Sequence, residues 1–124
     1  MNTVYVTIDA NEASVGESDG ERVRVLWSET SHVPRKHDMG GQSKARFQRG
    51  REEALKAWLR KVAEILAAEL RGRSMVIGGP GMTKDSFIKE LHPSLQANVV
   101  RVEPVGNTDE NGLWELIGRS RYIK

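Results

Sequence analysis

The residue types that could do chemistry crowd into one stretch, Ser28 to about Ser43, SETSHVPRKHDMGGQS: Ser28, Ser31, His32, His37, Asp38, the pair Gly40-Gly41, Gln42 and Ser43. It holds few core residues, one proline and two adjacent glycines. A connection of about fifteen residues is longer than most inside a compact domain, and loops of that length are usually functional or disordered. Familiar catalytic arrangements do not account for it. The histidines, His32, His37 and His92, show no i,i+4 pairing and no carboxylate in metal-ligand register, so no metal site is expected. Ser28, Ser31 and Ser43 lack the strand-turn-helix setting of a nucleophile elbow. Asp9, Glu103 and Asp109 fall near element ends and could converge on a metal, as in a nuclease with a ribonuclease H-like sheet, but acids at such ends are commonplace. A second glycine-rich run, GGPGMTK at 78–84, invites a phosphate-loop reading; Thr83 precedes Lys84, the reverse of that loop's order. A strand-to-helix turn with Thr83 as helix cap is the better account.

The charge pattern adds to the loop's interest. Between Arg35 and Lys61 nine Lys or Arg (Arg35, Lys36, Lys44, Arg46, Arg49, Arg51, Lys56, Arg60, Lys61) face three acids, a local balance of +6. The chain as a whole carries +2, which leaves −4 for everything else. A basic segment on a mildly acidic body is what a nucleic-acid contact requires. Long helices also carry Lys and Arg because these are good helix formers with solvated tips, so charge alone leaves both readings open.

The elements that must position this stretch are legible from periodicity. Thr3–Asp9 alternates Val4, Val6 and Ile8 with Thr3, Tyr5 and Thr7, the period of a strand with one face buried. A short strand over Ala13–Glu17, an Asp19-Gly20 turn and a third strand over Arg22–Trp27, with Val23, Val25 and Trp27 on one face, complete a meander. After the loop, Leu55, Trp58, Leu59, Val62, Ile65, Leu66 and Leu70 recur at helical spacing, with Gly50 interrupting the start and Gly72 a plausible stop. Strand 74–78, a helix bearing Phe87, Ile88 and Leu91, strand 99–102 and a helix opening near Thr108 or Asp109 follow. Trp27, Trp58 and Trp114 are core candidates, and Phe47 reads as a packing anchor for the loop's return. Strand-helix alternation after a meander implies one α/β domain over residues 1–124: a mixed, mostly five-stranded sheet flanked by helices, an α/β/α sandwich.

Length and composition bound the rest. At 124 residues, 38% hydrophobic and 29% charged, the chain reads as a single soluble domain. Zero cysteines excludes disulfides, thiolate metal sites and cysteine nucleophiles together. No apolar run approaches the roughly 20 residues of a membrane span, and MNTVYVTIDA has neither a basic n-region nor a cleavage site. The expectation is a cytoplasmic monomer without a membrane partner.

Lys36-His37-Asp38-Met39-Gly40-Gly41-Gln42-Ser43, followed by Lys44-Ala45-Arg46-Phe47 and Arg51-Glu52, resembles the GGQ segment of the eukaryotic and archaeal class-1 peptide chain release factors, KHxxGGQSxxRFxRxRxE. Three letters alone would be weak, but the likeness continues: VTIDANEASVG resembles that family's opening strand and hairpin, RKVAEI its long helix, VIGGPGMTKDSF its next strand and turn, and ENGLWELI its last helix. The resemblance covers the family's central domain from end to end. It implies a ribonuclease H-like sandwich with a long mobile GGQ loop leading into a long amphipathic helix.

It also implies an activity. In that family the GGQ loop enters the ribosomal peptidyl transferase centre, where water cleaves the ester between nascent peptide and tRNA. The resemblance makes Gly40, Gly41 and Gln42 the catalytic residues, with no cofactor. A glutamine amide is no general base, so Gln42 acts by placement and through its backbone N–H, while glycines let the backbone approach RNA closely. Arg35, Lys36, His37, Ser43, Lys44, Arg46, Arg49 and Arg51 become the RNA-binding set, His37 either touching RNA or bracing the loop. The implied partners are the ribosome, its large-subunit RNA and the P-site peptidyl-tRNA, with other release-factor domains or a translational GTPase supplied separately. The family's codon-reading and GTPase-docking domains have no counterpart in these residues. The related rescue protein Pelota lacks GGQ, so an intact motif argues for hydrolysis. The alternative is a non-catalytic ribosomal or RNA-binding module that docks through the basic loop.

Overall fold

The computed structural model describes residues 2–34 and 43–122. Strands β1 (Thr3–Ile8), β2 (Glu12–Ser18) and β3 (Val23–Thr30) form the expected meander. Helix α1 (Ser43–Leu70) follows, then β4 (Met75–Gly78), α2 (Thr83–Glu90), the single turn α3 (Pro93–Gln96), β5 (Val99–Glu103) and α4 (Glu110–Tyr122). The sheet has five strands in the order β3-β2-β1-β4-β5. Pairing is antiparallel within the meander and parallel for β1 with β4 and β4 with β5.

Both faces of the sheet are covered, which makes the central strand β1 buried on both sides instead of one. On one face Val4, Val6, Ile8, Ala13, Val15, Met75 and Ile77 meet Trp58, Leu59, Val62, Leu66 and Leu70 of α1 and Phe87 of α2. On the other, Tyr5 and Val76 meet Val105 and, from α4, Leu113, Leu116 and Ile117. Helices on both sides of a mixed sheet make the α/β/α sandwich expected from the element order.

Several local expectations change. Val15 faces Trp27 while Gly16 faces Val25, so β3 carries one extra residue, Leu26. Side chains alternate along a strand, and the bulge therefore turns Trp27 away from the face of Val23. Val23 packs beneath α4, whereas Trp27 and Leu26 join the α1 side. Trp114 is no core residue: it is 50% exposed, one position off the stripe that Leu113, Leu116 and Ile117 bury.

The turn at 78–81 is built for close packing. A Cβ on Gly79 would stand 2.2 Å from the Ile8 carbonyl oxygen, and one on Gly78 would stand 2.8 Å from Leu116. Thr83 is the first residue of α2, and the cap position falls to Met82, which offers no side-chain acceptor. At the same edge of the sheet Asp109 does cap its helix, Oδ1 accepting from the Gly112 N–H at 3.1 Å.

Helix α1 runs unbroken through Gly50, where a Cβ would meet nothing within 4 Å. No described side chain of α1 before Trp58 is buried. At 1.5 Å per residue, the run from Ser43 to Trp58 is about 22 Å long. The N-terminal half of α1 is thus an exposed arm carried by a buried C-terminal half.

Candidate functional site

The arm and the strand end beside it carry the segment of interest between them. Leaving β3, Ser31 donates its N–H to the Asn11 carbonyl at 2.7 Å and its hydroxyl to the Ala10 carbonyl. Two residues on, Val33 is buried in the core and takes its N–H to Ser31 Oγ at 3.3 Å. Arg51 Nε then donates to the Pro34 carbonyl at 3.0 Å, which joins this strand end to the arm of α1. Residues 35–42, which include Arg35, Lys36, His37, Gly40, Gly41 and Gln42, lie outside the described residues, as does the expectation of a mobile loop there. Ser43 and Lys44 open α1.

Deeper anchors hold the arm's base. Trp58 Nε1 donates to the Asp9 carbonyl at 3.0 Å, where β1 ends. Its ring packs against Trp27 with centroids 6.0 Å apart, in the range of a favourable tilted aromatic pair. Lys61 pairs with Glu29 across the same seam at 2.5 Å. Asp9 itself is fixed by local bonds, Oδ1 accepting from the N–H groups of Asn11 and Glu12 at 2.7 and 2.9 Å.

The cations of the arm divide into two sets. Arg46 and Arg49 are exposed and pair with no acid among the described residues. At 100° per residue they share a face with Lys56 and Arg60, and Arg60 in turn meets Glu90 at 3.3 Å. Arg51 is rotated about 140° from Arg46 and lies in line with Leu55 and Trp58, the buried stripe. It is half-buried and turned to the protein. The helical spacing of Arg51 to Leu55 and Trp58 by itself places it on that side. Phe47, one turn before Arg51, is half-buried on the same side.

The competing chemistries find no assembly among the described residues. No group of three or more His, Asp or Glu is placed to hold a metal ion. Asp9, Glu103 and Asp109 have separate uses: Asp9 Oδ2 accepts from Thr108 Oγ1 at 3.1 Å, Glu103 stands 3.7 Å from Arg101, and Asp109 caps α4. His92 caps α3, its Nδ1 accepting from the Ser94 N–H at 3.2 Å. No described helix is long and apolar enough to cross a membrane.

The family model for eRF1 domain 2 matches residues 2–122. The chain belongs to the eRF1 domain 2 family. Among curated relatives, peptide chain release factor subunit 1 of Archaeoglobus fulgidus is 41% identical over 125 residues, covering 95% of this chain and 31% of the relative. The same factor of Methanopyrus kandleri is 37% identical over 123 residues, covering 93% of this chain and 30% of the relative. The chain thus spans about a third of the length of the release factors it matches. Among solved structures, an archaeal translation termination factor, aRF1, superimposes with a TM-score of 0.72 at 18% identity, over 98% of this chain and 35% of that one. Pelota of Archaeoglobus fulgidus gives 0.58 at 22% identity, over 95% of this chain and 31% of that one. At such identities these structures bear on the fold, and both share the eRF1 domain 2 sandwich.

Proposed function

We propose that this domain hydrolyses the peptidyl-tRNA ester on the ribosome, as a release or rescue factor domain acting alone or as part of a larger protein. The observation that carries the reading is an intact Gly40-Gly41-Gln42 within a chain that matches the release-factor domain from residue 2 to residue 122. The arm of α1 supports it, because a helix segment about 22 Å long, exposed on one face and with no fully buried described side chain before Trp58, is suited to carry a loop into a confined site. In this reading water attacks the ester carbonyl carbon, the bond to the tRNA 3′-oxygen breaks, and that oxygen takes up a proton. The Gln42 backbone N–H donates to the oxygen as charge develops on it, and the Gln42 side chain shapes the pocket that admits the water. Gly40 and Gly41 permit backbone conformations and an approach to RNA that a Cβ would block.

Arg35, Lys36, His37, Ser43, Lys44, Arg46 and Arg49 face large-subunit ribosomal RNA in this proposal, neutralising phosphates on the way to the active site. The P-site peptidyl-tRNA is the substrate, and codon-reading or GTPase-docking parts come from elsewhere. Peptide release from ribosomes loaded with peptidyl-tRNA tests the reading. Gly41→Ala is expected to lower the release rate about 100-fold, the scale of losing one preorganised donor. Equal, background-level release by wild type and variant would leave RNA docking without catalysis as the role.

A further inference from the structure

We infer that Arg51 is a positioning residue for the reaction proposed above, and on that reading it acts through the loop it borders rather than on RNA. Its Nε donates to the Pro34 carbonyl at 3.0 Å, across seventeen positions of sequence. Pro34 is the last described residue before the 35–42 segment, and α1 resumes at Ser43. One hydrogen bond therefore ties the two stems of the loop together at its base.

The acceptor side is stiff. Proline fixes its own φ and restricts Val33 before it to extended backbone, so the chain leading to this carbonyl has little freedom. Val33 is buried, and Ser31 is bonded to the β1–β2 turn through Ala10 and Asn11. The donor side is equally held, because Arg51 sits two turns from Trp58, whose Nε1 is bonded to the Asp9 carbonyl. An arginine that grips phosphate through its Nε edge needs that N–H, and in Arg51 it is taken by the Pro34 carbonyl. Displacing a reacting group by about 1 Å can slow a reaction 100-fold, so a loosened base is enough to register in the rate.

Two substitutions separate the roles. Arg51→Met keeps the length of the stem and removes both donor and charge. Arg51→Gln removes the charge and keeps an N–H donor the same number of bonds from the backbone as Nε. In peptide release on loaded ribosomes, Arg51→Met is expected to lower kcat about fivefold, with the half-saturating ribosome concentration and its salt dependence unchanged. Arg51→Gln is expected to return kcat to within about twofold of wild type. Met and Gln variants that weaken ribosome binding alike, with a shallower salt slope, would make Arg51 a phosphate contact and overturn the inference. So would a Met variant with wild-type kcat.

Hydrogen exchange of the free chain tests the clasp independently of catalysis. Amides of 31–33 and 43–50 are expected to exchange faster in Arg51→Met and as in wild type in Arg51→Gln. If wild type releases no peptide, the proposed reaction fails while exchange still reports on the clasp; identical exchange in wild type and Arg51→Met removes the clasp itself.

Discussion

At the scale of single residues, Arg73 does the work of several contacts. Its Nε donates to the Leu70 carbonyl at 3.0 Å and Nη2 to the Glu69 carbonyl at 2.6 Å, satisfying carbonyls that the end of α1 leaves open. Nη1 reaches the Glu17 carboxylate on β2, so one side chain ties the helix end to the sheet. The Arg73 hydrogen bond holds the Glu17 carboxyl below the usual glutamate range. Because that group loses its proton more readily folded than unfolded, it stabilises the fold above its unfolded pKa, and the gain disappears as pH falls through the lowered value. Asp19 shifts in the same direction through the N–H groups of Arg22 and Glu21. Denaturant midpoints measured from neutral pH down through the carboxylate range are expected to fall more steeply for wild type than for Glu17→Gln. The two curves converge at the acid end; parallel curves would mean that the Glu17 contact contributes nothing to folding.

At the scale of elements, α1 shows why a glycine at 50 does not end a helix. Glycine in a helix interior is disfavoured by about 1 kcal/mol relative to alanine. Burial of Trp58, Leu59, Val62, Leu66 and Leu70 outweighs this, at about 1.5–3 kcal/mol for each large apolar side chain fully buried. Once those turns exist the helix extends from them without a new nucleation event. Since nothing lies within 4 Å of a Cβ added at Gly50, Gly50→Ala is expected to raise stability by about 0.5–1 kcal/mol in chemical denaturation. A loss of stability would show that the arm needs to bend at this position.

At the scale of the molecule, charge is segregated along the chain: +6 between Arg35 and Lys61 on a body of −4. Arg46 and Arg49 stand on the exposed face of the arm without acidic partners among the described residues, so the positive potential is concentrated where the loop is carried. Each phosphate neutralised contributes about 0.7–0.9 to the slope of log affinity against log salt. Removing Lys36 and Arg46 together is expected to weaken ribosome binding and make that slope shallower by about 1.4–1.8, as measured by co-sedimentation across a salt series. Unchanged affinity and slope would take the RNA contact away from both residues.

Periodicity and spacing were enough to place the strands, the body of α1, the Asp19-Gly20 turn and the opening of the last helix near Thr108 or Asp109, because each follows from local backbone chemistry. The GGQ segment and the flanking cations were legible for a similar reason: they are contiguous, so their pattern survives without a fold. What only the tertiary structure decided depends on partners distant in sequence. The Leu26 bulge, visible only once β3 is paired with β2, sends Trp27 to Trp58. Trp114 is left exposed because Leu113, Leu116 and Ile117 already fill the contact of α4 with the sheet. Thr83 loses the cap position to Met82 through the geometry of the turn before it. Arg51, one of nine cations between Arg35 and Lys61, is set apart by a carbonyl seventeen residues away. Local patterns determine which residues are present and which element each belongs to; long-range pairing determines which way each side chain faces.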